Sequence, residues 1–171
     1  MRRLDLSVLV VDPVMVAKGG DRLLEEAAVA AIRSQLLPIA RVVTPNIPEA
    51  EVLAGMRITS LDEMRTAAGR ILELGPGVVL VKGGHLEGDE SIDIGADESG
   101  FFEFRGPRFA TLQTHGTGCT LASAIAANLA LGYEVRDSIG RARVYLEGAI
   151  RNAPGIGHGQ GPLSHFWRGV Y

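Results

Sequence analysis

Short apolar runs and longer amphipathic segments alternate along this chain, and the alternation predicts its elements. Runs of β-branched and aliphatic residues at 6–11, 41–43 and 78–81 are typical of buried parallel strands. The strand and helix patterns alternate, which predicts a three-layer α/β fold with a mainly parallel sheet, formed by a single domain over residues 1–171. The predicted helices are 21–37, Pro48 to Gly55, 60–74, 117–131 and 136–152.

Further patterns concern single elements. Ser60 and Glu63 have the spacing of a capping box, which predicts a helix start at this point. The segments 91–94 and 101–104 alternate apolar and polar residues and predict a β-hairpin. Pro38 is expected to end the first helix. The residues with core spacing in that helix are Leu23, Leu24, Ala27, Ala28 and Ala31.

Composition excludes several classes of function. The net charge is −3, aromatic residues make up 5% of the chain, and the basic residues form no cluster, so neither nucleic acid nor an anionic membrane surface is an expected partner. Apolar stretches are too short to span a bilayer. A single cysteine permits no internal disulfide, which fits the reducing cytoplasm as the expected compartment.

The segment from Thr114 to Thr120, THGTGCT, carries the strongest chemical signal. Its two glycines predict a tight turn that feeds a helix, and the unpaired N–H groups at such a helix start bind anions. Cys119 at this position is expected to have its thiolate favoured, so that it can accept a proton or act as a nucleophile. The alternative interpretation is a tight turn with a buried structural cysteine.

Polar side chains also follow the three predicted parallel strands. Asp12 follows the first strand, Asn46 and Glu49 follow the second, and Lys82 follows the third. Ligands in open α/β sheets bind beyond the carboxyl ends of the strands, so these groups are candidates for holding a magnesium-bound polyphosphate. Taken singly, Asp12 is also compatible with a turn, Glu49 with a solvated first-turn acid and Lys82 with a surface lysine.

The usual nucleotide fingerprints are absent from the sequence, since neither a Walker A loop nor a strand-linked G-x-G-x-x-G is present. A competing chemistry is that of a thiol hydrolase, with Cys119 as nucleophile and His115 as base. No orienting residue for His115 is evident, and the carboxylates at the strand ends would then have no role. The four histidines show no metal-ligand spacing.

Five segments together resemble the hydroxymethylpyrimidine and phosphomethylpyrimidine kinases of thiamine biosynthesis. The resemblance covers nearly the whole chain, and Cys119 distinguishes this family from most ribokinase-like sugar kinases, which carry aspartate there. It implies a ribokinase-like fold and the ATP-dependent phosphorylation of 4-amino-5-hydroxymethyl-2-methylpyrimidine and then of its monophosphate. The segments are DPVM at 12–15, TPNIPEAE at 44–51, VKGGH at 81–85, THGTGCT at 114–120 and GHGQGPLSHF at 157–166.

The resemblance also implies roles for particular residues. The backbone N–H groups of Gly116, Thr117 and Gly118 would stabilise the transferring phosphoryl group, and Cys119 would take the hydroxymethyl proton. Glu49 and Asp12 would hold Mg²⁺, largely through water. The residues implied at the ATP site are Lys82, Asn46, Thr114 and Arg143, the last where family members often have lysine. Val14 and Met15 would border the pyrimidine.

Members of this family carry a long N-terminal part before the DPVM strand, and nothing similar lies before Val11. We therefore expect an N-terminally truncated kinase, which either has weak or no activity or is completed by self-association or by a separate chain. A pyridoxal-type vitamin kinase is the nearest alternative function. A nucleotide-binding or assembly module without catalysis is the alternative from a different class.

Overall fold

Three of the predicted strands and the predicted hairpin form one five-stranded sheet in the computed structural model. The structure describes residues 8–15, 23–84, 90–156 and 158–168. The strands are β1 Val10–Val11, β2 Val42–Val43, β3 Val78–Val81, β4 Glu90–Asp97 and β5 Gly100–Pro107, and they lie in that order. β1, β2 and β3 are parallel, whereas β4 and β5 add an antiparallel hairpin, so the sheet is mixed.

The chain divides into two compact units, Met1–Pro107 and Arg108–Tyr171. The first unit contains the sheet and the helices α1 Glu26–Ala31, α2 Ile47–Ala54 and α3 Leu61–Leu72. Its core joins alternate residues of the strands to the apolar faces of α2 and α3. Fully buried members include Val43, Val79, Leu53, Met64 and Ile71.

Side-chain hydrogen bonds fix the starts of α2 and α3, and the sequence predicted the one at α3. The Asn46 side chain accepts a hydrogen bond from the N–H of Glu49, and the Ser60 hydroxyl accepts one from the N–H of Glu63. Gly55 ends α2 in the left-handed conformation, at φ 64°. Such capping residues act locally, so the bounds of both helices can be predicted from the sequence.

The first predicted helix differs from the structure in extent and burial. Residues 21–22 lie outside the described residues, and the helix begins at Glu26. It continues through a π-helical segment, 32–36, and a 3₁₀ turn, 37–39, in which Pro38 takes an early position that needs no N–H donor. Leu23 is exposed and no residue of α1 is buried, so the core positions predicted at Leu23 and at the alanines of α1 are wrong, whereas Leu24 is partly buried against the core. The first buried side chain of this segment is Leu37.

The second unit is built on two helices that pack against each other, α4 Thr117–Ala130 and α5 Val135–Arg151. Leu121, Ile125 and Ile139 supply buried side chains to this helix pair. The segment 158–168 has no regular structure and forms hydrogen bonds to α5. Within the described residues, no helix has both the length and the apolar character needed to cross a membrane.

Candidate active site

Polar residues at the ends of the three parallel strands form a connected group, here named the strand-end cluster. Its members are Asp12, Thr44, Asn46, Glu49 and Lys82. The parallel register pairs Val11 with Val43 and Val43 with Val79, which brings the residues that follow each strand to one edge of the sheet. The N–H of Lys82 donates to the carbonyl of Pro45 at 2.8 Å, which extends the pairing beyond the strands.

An ion pair lies at the centre of the strand-end cluster. The Lys82 Nζ atom is 2.8 Å from Asp12 Oδ1, and both side chains are largely buried, with 16% and 13% of their surface exposed. The Thr44 hydroxyl donates to the same Asp12 oxygen at 3.1 Å. Asp12 is therefore more than a turn residue, and Lys82 is not a surface lysine.

Glu49 belongs to a complete capping box. Its N–H donates to Asn46 Oδ1 at 2.9 Å, and its Oε2 accepts from the N–H of Asn46 at 2.8 Å. The residue is only 2% exposed, so the interpretation as a solvated first-turn acid is wrong. The capping box holds this carboxylate at the end of β2.

The environment of Glu49 changes its protonation. Burial raises the pKa of the Glu49 carboxyl above its ordinary value of 4.5, because a buried site disfavours the charged form. The N–H of Asn46 and the charge of Lys82 lower this pKa in part, whereas the charge of Asp12 raises it further. A nearby cation would stabilise the charged form of this buried carboxylate.

This shift predicts a pH dependence of stability for the variant Glu49→Gln. The folded state binds the Glu49 proton more tightly than the unfolded state, so the stabilising contribution is complete at acid pH and is lost as pH rises through the raised pKa. Glutamine resembles the neutral acid and can still accept from Asn46. In EDTA, the unfolding temperature of Glu49→Gln should exceed that of the wild type at about pH 7, and the two temperatures should converge near pH 4.

Glu63 provides a control of opposite sign. Hydrogen bonds from the N–H and hydroxyl of Thr59 lower the pKa of this exposed carboxyl, so its contribution is present above the unfolded pKa and is lost on acidification. Glu63→Gln should therefore unfold at a lower temperature than wild type at neutral pH, and the difference should shrink in acid. If Glu49→Gln were also less stable than the wild type at neutral pH, burial would not be the main influence on the pKa of Glu49.

The carboxylates of the cluster fit a hard divalent cation. Asp12 and Glu49 would supply oxygen ligands to such a cation, and the Thr44 and Lys82 donors both approach Oδ1 of Asp12 rather than Oδ2. Among the described residues, no group of three or more His, Cys, Asp and Glu side chains is arranged around one point. The donor set matches Mg²⁺, which keeps several of its waters when it binds proteins.

The glycine turn has the geometry that the sequence predicted. Gly116 is the N-cap of α4 and has φ 81°, a left-handed conformation that favours glycine. The first hydrogen bond of the helix runs from the N–H of Thr120 to the carbonyl of Gly116 at 2.9 Å. The N–H groups of Thr117, Gly118 and Cys119 therefore have no acceptor within the helix, which is the arrangement that binds anions.

Cys119 occupies the third position of α4 and is exposed. The interpretation of a buried structural cysteine is therefore wrong. Cys119 and Gly116 lie at one end of a pocket of about 570 Å³, which continues along α4 past Ser123 and Asn128. Tyr145 and His165 complete its lining. An accessible thiol thus lies next to a turn with free N–H groups.

The other predicted residues are placed as follows. Val14 is exposed and Met15 is buried in the loop after β1. The carbonyl of Thr114 accepts a hydrogen bond from the Thr117 hydroxyl at 3.3 Å. Arg143 lies on α5 and is 8% exposed. His85 and Gly157, which carry part of the family resemblance, lie outside the described residues.

Sequence reasoning missed residues that support these groups. Asp93 is buried in β4, and its Oδ1 accepts from the N–H of Gly83 at 2.9 Å, which anchors the backbone after Lys82. The available signal was a carboxylate between two isoleucines, Ile92 and Ile94. Tyr145 was missed because only the packing of the 158–168 segment shows its contact, a hydrogen bond from its hydroxyl to the carbonyl of His165.

Comparison with known proteins relates this geometry to a family. Residues 1–164 match the family described as phosphomethylpyrimidine kinase. A thiamine biosynthesis bifunctional protein of Geobacter sulfurreducens is 51% identical over 158 residues, covering 92% of this chain and 32% of that protein. A hydroxymethylpyrimidine/phosphomethylpyrimidine kinase of Streptomyces coelicolor is 46% identical over 158 residues, covering 92% of this chain and 58% of that protein.

Solved structures agree with this relationship. The pyridoxal kinase of Staphylococcus aureus in complex with AMP-PCP and pyridoxal has a TM-score of 0.84 at 35% identity, covering 91% of this chain and 56% of that chain. The predicted α/β, ribokinase-like fold is thereby confirmed. This chain spans little more than half the length of such relatives, 58% of the Streptomyces kinase and 56% of the pyridoxal kinase. From its match over residues 1–164, the chain belongs to the phosphomethylpyrimidine kinase family.

Proposed function

We propose that this chain catalyses ATP-dependent phosphorylation of 4-amino-5-hydroxymethyl-2-methylpyrimidine and of its monophosphate, in the cytoplasm. The observation that carries the proposal is the glycine turn, where the exposed Cys119 thiol accompanies the free N–H groups of Thr117 and Gly118. Phosphoryl transfer asks mainly for positioning and charge stabilisation, which this arrangement supplies without a covalent intermediate.

Each part of the site has a distinct proposed role. The N–H groups of Gly116, Thr117 and Gly118 stabilise negative charge on the transferring phosphoryl group, and Cys119 accepts the hydroxymethyl proton. When bound, Mg²⁺ would neutralise phosphate charge, with Glu49 and Asp12 holding it through water. The ammonium group of Lys82 lies against Asp12 and would supply positive charge to the phosphates of the nucleotide.

The remaining predicted residues complete the proposal. Asn46 fixes Glu49 through the capping box. Asn46, Thr114 and Arg143 are each proposed to bind the nucleotide. Arg143 is largely buried, and its planar guanidinium binds phosphate with a geometry unlike that of lysine. Val14, exposed in the loop after β1, and Met15 border the pyrimidine.

A second function is favoured by a specific observation. The solved structures similar to this chain include pyridoxal kinases with a TM-score of 0.84. The same phosphate-binding groups serve either ring, so substrate choice depends on the residues around the ring. Pyridoxal is therefore the competing substrate.

The test measures ADP release by the purified chain with Mg-ATP, alone, with the hydroxymethylpyrimidine and with pyridoxal, together with the mass of the protein in solution. We expect the pyrimidine to stimulate ADP release more than pyridoxal does, and the active species to be a homo-oligomer or a complex with a complementing chain. Greater stimulation by pyridoxal would assign the second function. Nucleotide binding without turnover, in a folded protein, would identify a non-catalytic module and overturn the proposal.

A further inference from the structure

A segment near the C-terminus connects α5 to the glycine turn. This segment, residues 161–167, is here named the strap. Along α5, the N–H of Ser164 donates to the carbonyl of Ala149 at 3.0 Å, and the Tyr145 hydroxyl donates to the carbonyl of His165 at 2.8 Å. Leu163 is buried. The strap is therefore fixed to α5 by hydrogen bonds.

Trp167 is the main anchor of the strap. Its Nε1–H donates to the carbonyl of Tyr145 at 3.1 Å, and its ring lies so close to Gly148 that a Cβ atom there would overlap the indole. Glycine is a poor residue for the interior of a helix, yet Gly148 lies inside α5. The close approach of the Trp167 ring explains the glycine at this position.

The other end of the strap contacts the residue that precedes the N-cap of α4. The N–H of His115 donates to the carbonyl of Gly161 at 3.2 Å, and His115 pairs with Pro162 as a parallel bridge. Gly161 is itself closely packed, because a Cβ atom there would overlap the side chain of Gln113. The strap thus holds the backbone on which the turn begins.

The start of α4 needs such support. The N-cap residues of α2 and α3, Asn46 and Ser60, fix those helix starts with side-chain hydrogen bonds. Gly116 has no side chain and makes no capping bond, which leaves the N–H groups of the first turn free for a ligand. Glycine also imposes the weakest restraint on its own backbone angles. Contacts outside the helix must therefore fix the direction of these N–H groups.

We infer that the strap sets the geometry of the glycine turn, and that Trp167 is a positioning residue for phosphoryl transfer. Trp167 acts through the strap, His115 and Gly116 rather than by touching the substrate. The catalytic part of this inference rests on the proposed function, whereas the mechanical part does not. Releasing Trp167 from α5 should disturb the N–H groups of the turn and the thiol of Cys119 together.

The chain contains one tryptophan and one cysteine, so each end of this connection has its own probe. The fluorescence of Trp167 reports on the anchor, and the reaction of Cys119 with 5,5′-dithiobis(2-nitrobenzoate) reports on the turn without requiring kinase activity. The variant is Gly148→Ala, in which the added methyl group displaces the indole although alanine is the better helix former. The matched control is Gly69→Ala in α3, where the added Cβ atom would meet Phe101 at an ordinary 3.6 Å.

We expect Gly148→Ala to shift the Trp167 emission to the red and to change the rate of the Cys119 reaction about threefold or more, because the thiol moves with the backbone of the turn. In the kinase assay, well below the unfolding temperature, kcat should fall roughly tenfold or more while both KM values stay within about twofold. Gly69→Ala should behave as wild type in all three measurements. If Trp167 had only a structural role, Gly148→Ala would lower the unfolding temperature, but kcat would not fall while the KM values stayed constant.

Two variants of Trp167 keep the test decisive if Gly148→Ala does not fold. Trp167→Ala removes the anchor and should reproduce the effects on Cys119 and kcat, whereas Trp167→Phe keeps a ring against Gly148 and should restore most of both. Emission that shifts to the red while the Cys119 reaction and kcat stay at wild-type values would overturn the inference. If no form of the chain shows kinase activity, the proposed function fails, and the Cys119 reaction still decides whether the strap sets the turn.

Discussion

Replacing Cys119 with alanine should lower turnover of the hydroxymethylpyrimidine by about 10²- to 10⁴-fold, the range expected when a general base is removed. The thiol is exposed at the third position of α4, next to the free N–H groups of the turn. Alanine keeps the backbone of this turn and its N–H groups. Affinity for ATP should therefore stay within about twofold of wild type, because only a group that acts in the transition state is lost.

Ser123→Ala is the matched control for this prediction. Ser123 lies one helical turn after Cys119 and lines the same pocket, so its hydroxyl is close to the same ligand space without a proposed role in proton transfer. Steady-state ADP release gives kcat, and equilibrium titration with AMP-PCP gives nucleotide affinity. Near-wild-type turnover in Cys119→Ala would show that another group takes the proton. A loss of nucleotide affinity would show that the cysteine supports the turn structurally.

Local signals allowed much of the fold to be predicted. The position of α2 followed from Pro48 and Gly55, and that of α3 from Ser60, because each of these residues acts on the backbone within a few positions. The run 78–81 predicted β3 over the residues that form it. Here the local preference and the final structure agree.

The errors arose where packing decides the structure. In the first helix, the spacing of the alanines predicted a buried face, but no residue of α1 is buried. The burial of an alanine face depends on what lies against it, and the sequence of one segment does not contain this information. The hairpin was predicted too short because β4 and β5 extend their pairing to Glu90 and Pro107 through backbone bonds that need no apolar alternation.

The candidate site was predictable in part for the same reason. Asp12 and Lys82 lie 70 positions apart in sequence, but both follow strands, and the parallel register alone brings them to one edge of the sheet. The capping box of Asn46 and Glu49 was not predicted, because Glu49 was interpreted as a metal ligand rather than as a capping residue. The contact of Trp167 with Gly148 was not predictable, because it depends on how an irregular segment packs on a helix.

Replacing Lys82 with methionine should lower the free energy of unfolding by about 3 kcal/mol, because it leaves the Asp12 carboxylate largely buried without its cation. The remaining donor to that oxygen is the Thr44 hydroxyl, which does not neutralise the charge. Asp12→Asn should likewise destabilise the protein, because it removes the carboxylate that lies 2.8 Å from the Lys82 ammonium. Urea unfolding in EDTA measures both changes without a contribution from bound metal.

The double variant Asp12→Asn/Lys82→Met separates stability from catalysis. With both charges removed, neither group is buried without a partner, so the double variant should recover about 1–3 kcal/mol relative to the sum of the single variants. Turnover should not recover with it, because Lys82 is proposed to place positive charge at the nucleotide phosphates and Asp12 to help hold Mg²⁺. If turnover returned together with stability, Asp12 and Lys82 would stabilise each other without serving the reaction, and the phosphate charge would have to be met outside the strand-end cluster, for example by the N–H groups of the glycine turn.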